Sequence, residues 1–138
     1  MLQIYKYFME EDKVIYKELS YKIIGLTYEV FNELGLGYQE KHYQKAMESI
    51  FVKNNIKFKS QCPYKIIFED KAIGRYFMDF VVDDKIVLEL KINNHFSSQS
   101  IKQLDYYLKA TNLKLGILII FTKDGIKFKR ILNIKIKK

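Results

Sequence analysis

The sequence predicts an α/β sandwich whose sheet has mixed strand directions, and three observations predict it. Two amphipathic helical stretches open the pattern, a block rich in Ile, Val, Phe and Tyr runs from Ile56 to Ile92, and a third helical stretch separates that block from the apolar run LGILIIF. Strands flanking such a helix are joined by a crossover, so the strand after it is expected to return parallel to the one before.

From Ser20, the residues Ile23, Thr27, Val30, Phe31 and Leu34 recur at helical spacing, and ELGLG ends the first helix with Gly35 and Gly37. A second helix is expected from Tyr38 or Gln39 to Asn54, with Tyr43, Ala46, Met47, Ile50 and Phe51 on one face. Breaks at SQCP, EDKAIG and VDDK divide the next block into three or four antiparallel strands of a meander. SSQSIKQLDYYLKATN supplies serine N-caps and a face of Ile101, Leu104, Tyr107 and Leu108. KLGILIIF reads as a strand covered on both faces, and TKDG turns it into a last basic strand, IKFKRILNIKIKK. Residues 1–18, of mixed polarity, are expected to form a peripheral helix or an arm.

With 138 residues, one proline and no repeat or linker-like stretch, the chain is expected to be one domain, 1–138. Apolar residues make up 49% of it, which excludes a disordered polymer. The formal net charge of +8 suits a polyanion better than an acidic partner. Cys62 is the single cysteine, which excludes an internal disulfide and leaves a cysteine zinc site without ligands. No apolar run is long enough to span a bilayer, so no membrane partner is expected and a reducing cytoplasm is the expected setting.

The chemistry is expected in DFVVDDKIVLELK, residues 79 to 91, where Asp79, Glu89 and Lys91 interrupt strand-like runs. If Asp83 to Lys85 form a three-residue turn, Val82 faces Ile86 and Asp79 lies directly opposite Glu89, their Cβ atoms roughly 5 Å apart. Alternation brings Lys91 to the face of Glu89. Two opposed carboxylates repel unless one is protonated or a cation lies between them. Mg²⁺, which takes hard oxygen ligands and keeps several waters, suits a site of two carboxylates, a backbone carbonyl and an open side. The same residues could equally form an ordinary Asp79–Lys91 ion pair with Glu89 on a solvated face, because a two-residue turn would break the facing pair.

GLGYQEKHYQKAM (35 to 47), IGRYFMDFVVDDKIVLELK and QLDYYLKATNLKLGILIIF together resemble the GxxExxY family of the PD-(D/E)XK nuclease-like superfamily, over about residues 19 to 132. Gly37, Glu40 and Tyr43 match the naming motif; Asp79 matches the strand aspartate, and Glu89 and Lys91 the ExK pair. The usual proline before the aspartate is replaced by Met78. The resemblance implies a restriction-endonuclease-like mixed β-sheet flanked by helices, in the order α-α-β-β-β-β-α-β-β. It further implies Glu40, Asp79, Glu89 and Lys91 as catalytic residues and a Mg²⁺ or Mn²⁺ ion held by Glu40, Asp79, Glu89 and the Leu90 carbonyl. Gln103 and Tyr107 match a QxxxY pattern and would support substrate binding, together with Lys127, Lys129 and Arg130.

The function expected from all this is divalent-metal-dependent hydrolysis of nucleic acid, with DNA as the expected substrate and a homodimer as an open option. Two rivals stay in view, a nucleic-acid-binding module that no longer cleaves and a protein-interaction module on the same fold. Several residues have plain structural readings as well. Glu40 would suit any helix N-terminus, Tyr43 would suit the core, Gln103 and Tyr107 would suit a packing pair, and His42 and His95 read as ordinary surface or loop histidines. The lysines of the last strand would equally guard a sheet edge or hold phosphates.

Overall fold

The computed structural model describes residues 15–134. Expectations for residues 1–14, and for Lys135, Lys137 and Lys138, fall outside them. The element order is α1 (Lys17–Leu34), α2 (Glu40–Lys53), β1 (Phe58–Phe68), β2 (Lys71–Val82), β3 (Ile86–Ile92), α3 (Ser98–Thr111), β4 (Leu115–Thr122) and β5 (Gly125–Leu132). The strands form a single mixed sheet in chain order, with β3 and β4 parallel and the other neighbours antiparallel. Helix α3 supplies the crossover that the parallel pair requires.

Two apolar layers hold the sheet. On one face Ile23, Leu26 and Val30 of α1 and Tyr43, Met47 and Phe51 of α2 pack on Phe80, Val82, Leu88, Leu90, Ile117 and Ile119. On the other, Leu104, Tyr107 and Leu108 of α3 pack on Met78, Val81, Val87, Leu118 and Ile120. Every residue of β4 is buried, as a strand covered on both faces must be. Gly116 permits the approach of α3, since a Cβ there would lie 2.8 Å from the Leu104 side chain.

The expected order is corrected at one point: three strands, not four, lie between α2 and α3. SQCP does not break the chain, because β1 is an edge strand, where a proline is tolerated. Within EDKAIG only Glu69 and Asp70 turn, both left-handed at φ 48° and 63°, and Lys71 to Gly74 already belong to β2. Two such residues form the type I′ turn that matches hairpin twist. The first helix begins at Lys17, three residues before the expected Ser20.

Both strands of the β1–β2 hairpin change faces midway. Phe58 packs with α1 and α2, whereas Cys62 and Tyr64, an even number of residues away, pack with α3. Met78 and Val81, an odd number apart, both pack with α3. Strict alternation forbids both pairs of observations. The slip falls at Gln61, left-handed at φ 50°, and at Asp79 across from it, between the pairs Ser60–Phe80 and Cys62–Met78.

Candidate active site

Strands β2 and β3 pair at Val82–Ile86, Val81–Val87 and Phe80–Leu88, the register expected for a three-residue turn, and the ladder then stops. The next rung holds Asp79 and Glu89, and here side chains replace backbone pairing. Glu89 Oε1 accepts the Asp79 N–H at 3.1 Å, and Asp79 Oδ2 accepts the Leu90 N–H at 2.8 Å. Each carboxylate is therefore fixed to the opposite strand, and the strands diverge around them.

The divergence frees the edge of β3 from Leu90 onward. Odd-numbered amides of this segment face β4, as the Asn93 N–H does in donating to the Phe121 carbonyl at 3.2 Å, so Leu90 and Ile92 face the gap. Asp79 takes the Leu90 N–H, and Glu40 Oε1, reaching from the first turn of α2, accepts the Ile92 N–H at 3.3 Å. A residue in extended backbone directs its N–H and C=O to the same edge. The Leu90 carbonyl thus lies between the two amides that Asp79 and Glu40 occupy.

Over this edge opens a cleft of about 380 Å³ lined by Glu40, Lys41, Gln44, Lys45, Glu48, Gln61, Asp79, Leu90 and Lys91. Glu89, which accepts the Asp79 N–H beside the cleft, is only 5% exposed. Burial pushes the Glu89 carboxyl well above its ordinary value, and the neighbouring charge of Asp79 pushes it further. Burial also raises Asp79, opposed by its bond from the Leu90 N–H. Lys91 faces both groups and favours their ionised forms, but among the described residues it makes no ion pair with either. The ordinary Asp79–Lys91 pair left open by the sequence is therefore not formed.

The loop before α2 explains the spacing of Gly37, Glu40 and Tyr43. Gly37 has φ +108°, a conformation that strains any side chain. Tyr43 is fully buried, stacks on Phe121 with ring centroids 4.3 Å apart, and donates its hydroxyl hydrogen bond to the Gly35 carbonyl. It is a core residue that fixes the loop from which Glu40 extends. His42 is part of the same turn, its Nδ1 accepting the Gln39 N–H at 3.1 Å.

On the other side of the carboxylates, Tyr107 is 1% exposed and meets Tyr64 and Tyr76 edge-on at 6.2 and 6.1 Å. Burial raises its phenol, the charges of Glu89 and Asp79 raise it more, and a hydrogen bond with Gln103 opposes them. Tyr107 is thus both a core residue and a neighbour of the site. Lys129 and Lys127 on β5 pair with Leu118 and Ile120, which pair with Glu89 and Lys91. They lie at the level of the site but two strand spacings away, about 10 Å. Arg130 is half-buried, and its Nη2 donates to the Ile15 carbonyl at 3.1 Å, which ties β5 to the start of α1.

Sequence reasoning missed two glutamines. Gln44, 8% exposed, donates from Nε2 to the Asp79 carbonyl at 3.0 Å, and Gln61 Nε2 lies 3.5 Å from Asp79 Oδ1. Gln44 was open to discovery as a polar residue one position from Tyr43 on the buried face of α2. Gln61 carried no such signal, because it lies in the stretch that reads as a strand break.

Among the described residues no three His, Cys, Asp or Glu side chains are gathered closely enough to cage a metal ion. What the cleft and the rung beside it offer is a set of hard oxygen donors: Asp79 with Glu89 across from it, the Leu90 carbonyl on the open edge, and Glu40 at its far end. Such a set fits a divalent cation that keeps part of its water shell and fits a soft-ligand metal poorly.

A comparison with curated protein sequences finds no match. Among solved structures, the chain is similar to the crystal structure of SSO0001, with 20% identity and a TM-score of 0.50, over 88% of this chain and 60% of that one. It is also similar to an alkaline exonuclease (LHK-Exo) from Laribacter hongkongensis, with 11% identity and a TM-score of 0.45, over 77% of this chain and 75% of that one. The first likeness supports the fold, and the chain spans 60% of the length of that structure. The model of the PD-(D/E)XK nuclease superfamily matches residues 17–131, which include both strand carboxylates, Lys91 and all three helices. The chain therefore belongs to the PD-(D/E)XK nuclease superfamily.

Proposed function

We propose that this protein is a divalent-metal-dependent nuclease that hydrolyses phosphodiester bonds, with DNA as its substrate. The observation that carries the reading is the pair of carboxylates where β2 and β3 diverge, Glu89 buried and Asp79 half-buried, each bonded to the other's strand and both facing Lys91 at the cleft. A structural ion pair has no need of two like charges on one rung. Membership of a nuclease superfamily supports the same reaction class.

Asp79, Glu89 and the Leu90 carbonyl would hold Mg²⁺ or Mn²⁺, with Glu40 completing the set directly or through water. The ion would supply Lewis acidity toward the phosphate and a more acidic water. Lys91 positions the attacking water and offsets negative charge that builds on the phosphate oxygens. Gln44 anchors the backbone that carries Asp79, and Gln61 steadies the carboxylate itself. Gln103 and Tyr107 brace the α3 side. Tyr107 stays a neutral phenol, so it adds no third negative charge. Lys127 and Lys129 would hold phosphates away from the scissile bond, contributing salt-dependent binding without sequence preference.

Incubation of labelled linear DNA, circular DNA and RNA with Mg²⁺ or Mn²⁺ tests the reading. Cutting by the wild type and its loss in both Glu89→Ala and Lys91→Ala, with folding kept, is the expected result. Comparison of linear with circular DNA shows whether an end is required. A folded wild type that cuts nothing while binding nucleic acid with a steep salt slope would instead fit a binding module.

A further inference from the structure

Beyond the rung of Gln61 and Asp79, the β1–β2 hairpin continues away from the body of the protein. Its face turned toward α3 carries Cys62, Tyr64 and Met78, which are packed. The opposite face carries the cross-strand pair Pro63–Phe77 and then Lys65–Arg75, all exposed. Because both strands change faces at Gln61 and Asp79, this outer face is continuous with the cleft those two residues line.

Three features of this face call for a ligand. Phe77 is 49% exposed, two rungs beyond Asp79, where a structural phenylalanine would be covered. Lys65 and Arg75 face each other directly, and like charges opposed across a ladder destabilise it. Among the described residues neither makes an ion pair. A flat apolar ring followed by an uncompensated pair of cations matches the alternation of base and phosphate. Four residues of strand separate Asp79 from Arg75, about 13 Å, which is the length of a few nucleotides.

We propose that the outer face of the β1–β2 hairpin, with Phe77 as a base-stacking platform and Lys65 and Arg75 as phosphate contacts, is the track by which an unpaired nucleic-acid strand enters the cleft. The unpaired form is required because stacking on an exposed aromatic ring needs the face of a base freed from its partner. The inference rests on the nuclease reading of the cleft and adds the strandedness of its substrate.

The test is binding of a short labelled oligonucleotide, single-stranded or as a blunt duplex, measured by fluorescence anisotropy in chelator across a range of salt. Wild type is compared with Phe77→Ala and with the double variant Lys65→Ala, Arg75→Ala, after melting curves confirm that each folds. Phe77→Ala is expected to weaken single-strand binding about tenfold or more, within the range for loss of one aromatic–base stack, and to change duplex binding far less. The double variant should lower the salt slope for the single strand by about 1.4, or 0.7 for each phosphate contact. Unchanged single-strand affinity in both variants overturns the proposal, as does an equal loss for duplex, which would place the hairpin in a groove. The nuclease reading is checked separately by hydrolysis of a small chromogenic phosphodiester in Mn²⁺ and its loss in Glu89→Ala. Hydrolysis alongside indifferent hairpin variants overturns the track alone, whereas a wild type that neither hydrolyses the diester nor binds nucleic acid overturns both.

Discussion

The carboxylate rung should cost the metal-free protein stability, and Glu89→Gln should recover it. Glutamine keeps an oxygen to accept the Asp79 N–H now bonded to Glu89 Oε1 at 3.1 Å, and it removes one of two opposed negative charges. Two unit charges about 5 Å apart at an effective dielectric of about 20 repel by roughly 3 kcal/mol. Glu89 relieves part of that by holding a proton, at about 1.4 kcal/mol for each pH unit that its pKa is raised. The expected gain for the variant at pH 8 in chelator is therefore about 1 to 3 kcal/mol, or a melting temperature about 4 to 12 °C higher for a chain of this size.

The sign of the pH dependence follows from the raised carboxyl. A Glu89 whose folded pKa lies above its ordinary value of 4.5 has its full stability below that pH and loses it as pH rises through the folded pKa. Asp79, raised from 3.8, acts in the same direction. The gap between Glu89→Gln and wild type should thus close toward pH 4 and widen toward pH 8. Saturating Mg²⁺ should close most or all of the gap, since a ligand at a hundred times its Kd stabilises the wild type by about 2.7 kcal/mol and the variant hardly at all. Differential scanning calorimetry at pH 4, 6 and 8, in chelator and in Mg²⁺, measures every arm. A variant that melts below wild type at pH 8 in chelator, or a gap that does not depend on pH, would refute the reasoning.

Other substitutions separate the roles of the surrounding residues. Tyr43→Phe loses the hydrogen bond to the Gly35 carbonyl and should cost about 1 kcal/mol in urea denaturation. It should also reduce cleavage through displacement of Glu40, whereas Tyr43→Ala should unfold the protein outright. Gly116→Ala drives a methyl group to 2.8 Å from Leu104 and should destabilise by about 1 to 3 kcal/mol, read by the same denaturation. Arg130→Ala should lower the melting temperature through loss of its bond to the Ile15 carbonyl, with little change in nucleic-acid affinity. Lys127→Ala should do the opposite, leaving melting unchanged and lowering the salt slope of binding by about 0.7 to 0.9.

The parts of the fold that were legible in the sequence are those set by local pattern. The three helices follow from apolar spacing, with a glycine ending α1 and a serine capping α3, and the Asp79–Glu89 rung follows from counting back from a three-residue turn. The fourth strand failed for a physical reason: SQCP contains the residues that usually end a strand, but an edge position makes Pro63 harmless, and edge position is a property of the assembled sheet. The reversal of faces at Gln61 and Asp79 was hidden in the same way. A left-handed glutamine leaves no mark in a period-two pattern, yet it decides which side chains continue the cleft. Arg130 illustrates the converse, since a cation in a basic strand reads as a phosphate contact, and its bond to the Ile15 carbonyl comes from the opposite end of the chain. What the sequence conceals is therefore concentrated where β1 meets β2. There an aromatic and two cations that do nothing for the sheet continue the edge that holds Asp79, whose rung with Glu89 of β3 sets two like charges together, and a bound polyanion with its metal would satisfy both.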